Sequence, residues 1–181
     1  MLFRSVLHHS NKTSEVLRLF DGEVVGSGTS PDFETHLTSA GRDLVTWDDE
    51  DEHCVFQRAD ALTNKLVWQH KLPAQAVVQV VDHDHVAVML PSGEFRLFDI
   101  WTGRAFVTAK LPEEFLLKNI LVVPSPWGHL VMTDMVVATR TTERRQIPVP
   151  NSDFNQVRGR MSLVRPDGTV AWTTQLPLQR Y

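Results

Sequence analysis

The chain has 181 residues, of which 42% are apolar, and it carries a formal net charge of −4 at pH 7. This composition supports a sizeable core and excludes wholesale disorder. The charge is too small to indicate a nucleic-acid partner, and no apolar run is long enough for a membrane span. The single cysteine, Cys54, excludes an internal disulfide framework and a cysteine-rich zinc site.

Residue usage along the chain favours strands. Val, Ile and Thr together supply 41 residues, whereas Ala supplies only 10. β-branched side chains suit a pleated, half-buried surface, and a chain poor in Ala lacks the best helix former. Short apolar runs alternate with polar turns, and the clearest turns are Asp82–Asp84, Pro91–Gly93, Ser125–Gly128 and Pro166–Gly168. The sequence therefore predicts an all-β fold.

An internal repeat organises these strands. Residues 60–73, 99–112 and 164–177 align without gaps, and each has a polar turn, a short strand and a closing Leu-Pro. Gly103 and Gly168 share one turn position. Trp68 and Trp172 share one strand position, which Val107 fills in the middle copy. A weaker copy begins at Asp21-Gly22, so the repeat extends over most of the chain.

The spacing of the repeat predicts β-propeller blades of four antiparallel strands. Its closing prolines are Pro31, Pro73, Pro112 and Pro177, which gives steps of 42, 39 and 65 residues. Two steps are close to the roughly 40–45 residues of a propeller blade, and the third contains a predicted insertion over 140–160. We expect one propeller segment over 1–181, with blades over 1–31, 32–73, 74–112 and 113–177. About three and three-quarter blades are too few for an ordinary closed propeller, so we predict an incomplete one.

The repeat also predicts where its large side chains lie. The turn closes a hairpin, and the following outer strand places one bulky residue between adjacent blades. The proline then ends the strand where the chain leaves the ladder. We therefore expect Trp68 and Trp172 to be buried between blades at equivalent places.

The pattern of Asp, Thr-Gly or Asn, a basic residue, Trp and Leu-Pro resembles the quinoprotein-like (pyrroloquinoline-quinone-type) β-propeller repeat. The middle copy lacks the Trp, the first has Asn64 for Gly, and the third has Val164 for Asp. The WD-repeat is the alternative within propellers, because residues 97–103 resemble its Leu-Trp-Asp-x-x-Thr-Gly ending. That family also has an early Gly-His pair in each repeat, and here only Gly128-His129 is present.

The resemblance to quinoproteins raises the question of a cofactor. Enzymatic members of that family hold a quinone with calcium, and some carry a disulfide of adjacent cysteines. No calcium-ligand set of that family matches the sequence, and Cys54 has no neighbouring cysteine. We therefore predict no catalytic residue and no cofactor.

Two polar clusters could in principle bind a metal ion. The acidic run 48–53 lacks the glycine and the alternate spacing of a calcium loop, so we expect a solvated hairpin tip. Residues 82–85 contain His83 and His85 between or beside aspartates. Adjacent residues on an extended strand point to opposite faces, so these would converge only in a tight turn. We predict no metal site.

The predicted insertion has a charge of its own. Five arginines, Arg140, Arg144, Arg145, Arg158 and Arg160, stand against two acidic residues between positions 140 and 160. Guanidinium groups suit carboxylate or phosphate partners, and long loops on rigid scaffolds often carry binding functions. The segment is either a binding loop for an anionic partner or a solvated loop without that role.

The favoured function is a non-catalytic binding or scaffold module that presents loops to a protein partner. The alternatives are a fragment of a quinone-dependent or metal-assisted enzyme, and an interaction module of the WD-repeat kind. The sequence does not indicate a compartment. An incomplete propeller leaves apolar blade faces open, because repeat units bury their cores only against neighbours. We therefore expect additional blades, another protein or an edge-to-edge homodimer as the partner.

Overall fold

The structure is a computed structural model that describes residues 4–9, 13–18, 20–29, 36–41, 43–50, 52–60, 63–135 and 159–175. These residues form fifteen strands and no helix, which confirms the prediction of an all-β fold. Within the same ranges, no helix that could cross a membrane is present.

The strands form four sheets in chain order. The first sheet has three strands, β1 (Arg4–His8), β2 (Thr13–Arg18) and β3 (Val24–Thr29). The second comprises β4 (His36–Ala40), β5 (Asp43–Glu50), β6 (His53–Asp60) and β7 (Leu66–Pro73). The third comprises β8 (Val77–Val80), β9 (His85–Met89), β10 (Glu94–Asp99) and β11 (Ala105–Lys110). The fourth comprises β12 (Leu117–Ser125), β13 (Gly128–Met135), β14 (Arg160–Val164) and β15 (Val170–Gln175).

Neighbouring strands in each sheet are also neighbours in the sequence. For every pair except β13 and β14, which 24 residues separate, the reason is the length of the connections, since two to five residues can join only antiparallel strands. The four predicted turns connect β8 to β9, β9 to β10, β12 to β13 and β14 to β15. The antiparallel, mostly four-stranded sheets expected from the repeat are therefore present.

The chain divides into two compact units. The first consists of Met1–Ala76, Asp82–Val86 and Phe98–Phe106. Its core contains Phe56, which is fully buried and contacts Trp68 and Phe98 edge-to-face at centroid distances of 4.9 and 5.4 Å. Such aromatic contacts add to the stabilisation from apolar burial.

The second unit consists of Val77–Val81, Ala87–Leu97 and Val107–Tyr181. Its core combines residues of β9, β10 and β11 with one face of the fourth sheet, namely Ile120, Val122, Val131 and Val164. Strand β8 packs beside β12, and the side-chain amide oxygen of Gln79 accepts a hydrogen bond from the Val122 N–H at 3.1 Å. One face of the fourth sheet is thus buried.

Candidate protein-docking face

Within the first unit, Trp68 on β7 docks against the turn between β10 and β11. Gly103 in that turn has a φ of 69°, and a Cβ there would lie 2.6 Å from Cγ of Trp68. The Trp68 indole donates its Nε1–H to the carbonyl of Ile100 at 3.1 Å. Glycine is required at this position both by the backbone conformation and by the close approach of the indole.

Two further side chains on the same face as Trp68 reach the same turn. Arg58 is the cross-strand partner of Trp68, stacks on the Trp101 ring at 4.9 Å and donates to the Trp101 carbonyl at 2.6 Å. His70 lies 2.7 Å from the carbonyl of Gly103 through Nε2. We call Trp68, Arg58 and His70, with the turn that they contact, the covered contact.

An ion pair holds Arg58 in place. Its Nη2 lies 2.6 Å from Asp43, and both side chains are largely buried. An open groove of about 670 Å³ lies beside this pair, and its polar lining residues are Asp43, Arg58, Asp60, Thr63 and Lys65. Cation–π stacking and a nearly buried ion pair fix the guanidinium geometry.

Three turns of the repeat share one hydrogen-bond pattern. The N–H of Asp99 bonds the carbonyl of Arg104, and the N–H of Gly103 bonds the carbonyl of Asp99. The same pair of bonds closes residues 60–65 and residues 18–23. Gly22 and Asn64 occupy the place of Gly103, with φ values of 73° and 53°. The turn at 18–23 is therefore a structural equivalent of the turn that receives Trp68.

Aspartate side chains stabilise the turns over residues 99–104 and 165–169 through hydrogen bonds. Asp99 accepts hydrogen bonds from the backbone N–H and the hydroxyl of Thr102, and these bonds lower the pKa of Asp99. Asp167 accepts the corresponding bonds from Thr169, and they lower its pKa likewise. Bonds to the charged form stabilise both the carboxylate and the turn.

Within the second unit, Gly168 approaches the preceding sheet in a similar way. A Cβ on Gly168, where φ is 84°, would lie 2.2 Å from the backbone oxygen of Thr108 on β11. In both units, then, the turn glycine of one sheet packs closely on the fourth strand of the sheet before it. The third sheet, unlike the second, offers no indole at this contact, because Val107 stands in the place of Trp68.

The fourth sheet has a second apolar face that is partly exposed. Cross-strand pairing aligns Leu121, Met132 and Met161 in one row, and Val123, Leu130, Leu163 and Trp172 in the next. The exposed fractions of Leu121, Val123 and Trp172 are 40%, 41% and 42%. Contiguous exposed apolar surface on a soluble protein is typical of an interaction site. We call these seven residues the open face.

The turn over residues 18–23 is also exposed. Among the residues that the structure describes, no atom beyond the chain neighbours of Gly22 lies within 4 Å of the position that a Cβ would take. Phe20 at its tip is 77% exposed, and the Arg18 guanidinium lies 4.9 Å from the centre of its ring. Arg18 also pairs with Asp21 at 2.6 Å and with Glu23.

The structure describes six of the eight predicted repeat residues. Trp68 is half-buried, and its place between blades stays a prediction, but the expected burial of Trp172 is wrong, since it is 42% exposed. Gly103 and Gly168 lie in left-handed turns. Pro73 ends β7 and Pro112 follows β11, whereas Pro31 and Pro177 lie outside the described residues.

The structure describes one of the five arginines of the predicted binding loop. Arg160 begins β14 and lies 3.4 Å from the buried carboxylate of Glu114, and it also donates to the carbonyl of Glu113 at 3.2 Å. This guanidinium is therefore held by the fold. Arg140, Arg144, Arg145 and Arg158 lie outside the described residues, and the binding loop stays a prediction that depends on them.

The turn between β8 and β9 brings Asp82, His83 and Asp84 together, with one ligand atom of each within 4.8 Å of the others. The carboxylates are engaged, because Asp82 bonds His85 at 2.9 Å and Asp84 accepts from the Trp101 indole at 2.7 Å. Burial raises the pKa of Asp82, but hydrogen bonds from His85 and from the Asp84 backbone lower it by more. The pKa of Asp82 is therefore below its ordinary value. The predicted absence of a metal site stays a prediction.

Sequence reasoning missed Arg58, Trp101 and Phe20. A signal was available, because Phe20 and Trp101 precede Gly22 and Gly103 by the same two residues. The strand register places Arg58 opposite Trp68 and Leu163 opposite Trp172, whereas the ungapped alignment matches Arg58 with Ser162. Such cross-strand pairs can be identified only when the register of the two strands is known.

Comparison with known proteins gives a fold and no family. No protein-family model and no curated protein matches the chain. Among solved structures, the computationally designed Ika8 protein is similar at a TM-score of 0.51 and 15% identity, over 94% of this chain. KlHsv2 with its loop 6CD replaced by a Gly-Ser linker gives a TM-score of 0.49 and 10% identity, over 92% of this chain. The chain covers 46% of the former and 53% of the latter.

Proposed function

We propose that this chain is a β-propeller segment that acts as a non-catalytic protein-binding module, and that the open face of its fourth sheet docks the partner. The observation that carries the proposal is the apolar character of that face, where Leu121, Val123 and Trp172 are each about two-fifths exposed. The loops, including the arginine-rich segment, would supply further contacts.

The propeller part of the proposal rests on the order of the sheets and on the covered contact. Antiparallel four-stranded sheets follow one another along the chain, and β8 packs beside β12, the first strands of consecutive sheets. The resemblance to the quinoprotein-like repeat fits the same picture, because its Gly and Trp positions hold the residues that dock, Gly103 and Trp68. We propose this family relationship for the fold of the repeat alone.

A photo-crosslinking experiment tests the docking role of the open face. p-Benzoylphenylalanine placed at position 172 of the full chain, in the cells that make it, should give a covalent adduct with a protein. The matched control is the same group at Trp127, an exposed tryptophan at the β12–β13 turn outside the open face. Equal adducts at both positions, or none at position 172, would contradict the proposal.

The enzyme alternative has a separate test. Titration of the purified chain with pyrroloquinoline quinone and calcium should leave the absorbance spectrum of the quinone unchanged. A saturable spectral change that needs calcium would favour the quinone-dependent enzyme instead.

A further inference from the structure

Within the described part of the chain, both halves of the covered contact occur a second time, and each second half lacks its counterpart there. Trp172 occupies the position of Trp68 in the repeat, and it is 42% exposed. Gly22 occupies the position of Gly103, in a turn closed by the same hydrogen bonds and open above the glycine. One half lies on the last described strand, and the other lies in the turn of the first sheet.

We propose that a second copy of this chain occupies the open face, with Trp172 of one copy seated on the Gly22 turn of the other. This inference rests on the proposed function, because it names the partner of the same face. The contact joins two different surfaces, so a closed pair of copies contains it twice. The two contacts in such a pair would reinforce each other, since forming one makes the other intramolecular.

The residue pair beside the tryptophan supports this occupant. In the covered contact, Arg58 opposite Trp68 stacks on Trp101. The equivalents are Leu163, opposite Trp172, and Phe20 in the first turn. A cation–aromatic pair is thereby replaced by an aliphatic–aromatic pair, and both of its members are apolar. Phe20 is 77% exposed, and docking against Leu163 would remove this large apolar surface from water.

A polar contact has an equivalent as well. His70 lies two residues after Trp68 and bonds the carbonyl of Gly103. Thr174 lies two residues after Trp172, on an exposed part of β15. Its hydroxyl can donate to the carbonyl of Gly22 of the second copy, as His70 does within the first unit. Three positions of the covered contact therefore have chemically suitable counterparts.

Light scattering coupled to size-exclusion chromatography tests the inference on the full chain. The wild-type protein should elute at about twice the monomer mass of 20.6 kDa. Trp172→Ala should weaken the pair at least about thirty-fold, as expected for a tryptophan hot spot. Gly22→Asn should weaken it similarly by filling the seat of the indole. Asn64 tolerates a φ of 53° at the equivalent position, so this substitution should preserve the turn.

Mixing the two variants tests the polarity of the contact. Trp172→Ala keeps an intact turn and Gly22→Asn keeps an intact tryptophan, so an equimolar mixture should form a pair through one contact. Each variant alone should remain monomeric at that concentration. Trp127→Ala, the matched control, should pair like the wild type, and circular dichroism should show strand content in every variant.

Three results would overturn the inference. They are a monomeric wild-type chain, pairs that survive both substitutions, and a mixture that fails to pair although each variant is folded. An adduct between position 172 and a different protein, together with a monomeric purified chain, would overturn this inference and leave the proposed function standing. Absence of any adduct at position 172 would overturn the proposed function itself.

Discussion

The second and fourth sheets carry the same tryptophan position in two different environments. On the second sheet, Trp68 is seated on Gly103 and flanked by Arg58 and His70, both of which bond the same turn. On the fourth sheet, Trp172 is flanked by Leu163 and Thr174 and is 42% exposed. The repeat therefore encodes one half of a contact, and burial of the tryptophan depends on whether the chain also supplies the other half beside it.

The largest expected effect comes from truncating the two tryptophans. Trp68→Ala should lower the free energy of unfolding by about 3 kcal/mol, since a large aromatic leaves a packed site. Trp172→Ala should lower it by less than about 1 kcal/mol in dilute monomer, because its indole is already partly in water. Urea denaturation measures both values. Equal losses would mean that the two environments do not differ.

The next largest difference should be between the stability costs of substituting Gly103 and Gly22. Gly103→Ala should cost roughly 2–4 kcal/mol, because a Cβ would clash with Trp68 in addition to the strain of a left-handed φ. Gly22→Ala should cost only about 1–2 kcal/mol, which is the backbone strain alone. Thermal unfolding of the two variants side by side gives the comparison, and a larger loss for Gly22 would contradict it.

The arginine of the covered contact can be replaced by leucine, the residue at its place in the open face. Arg58→Leu should destabilise the chain by about 1–3 kcal/mol, because the ion pair with Asp43 and the bond to the Trp101 carbonyl are lost inside a largely buried site. Arg58→Lys keeps the charge and should recover only part of this loss, since an ammonium cannot stack as a guanidinium does. Full recovery with lysine would mean that charge alone matters there.

The smallest expected change is in stability at acidic pH. The hydrogen bonds from Thr102 lower the pKa of Asp99 in the folded state, so its stabilising effect is present above the unfolded pKa of about 3.9. It is lost as the pH falls below that value and through the lowered folded pKa. Asp99→Asn should therefore flatten the stability profile below about pH 4 and leave it unchanged in shape near neutrality. Stability measured against pH in both chains decides this, and an unchanged acid limb would contradict it.

Several features of the fold could be predicted from local chemistry. β-branched residues and turns such as Pro91–Gly93 and Pro166–Gly168 favour strands and hairpins through short-range sterics. The ungapped repeat aligned Gly103 with Gly168, and both have a left-handed φ, although different backbone hydrogen bonds close their turns. The blade boundaries, the quinoprotein-like relationship and the role of the arginine-rich loop stay predictions.

The candidate site depended on information that the sequence pattern does not contain. Whether Trp172 is buried depends on which surface lies across from it, and its own strand carries no record of that neighbour. Arg58 meets Asp43 only because the register of β5, β6 and β7 aligns them on one sheet. By itself the sequence determined strands, turns and the repeat, since these follow from side-chain sterics and spacing. The tertiary structure alone decided which of the repeated faces is covered, because burial is a property of two surfaces and not of one.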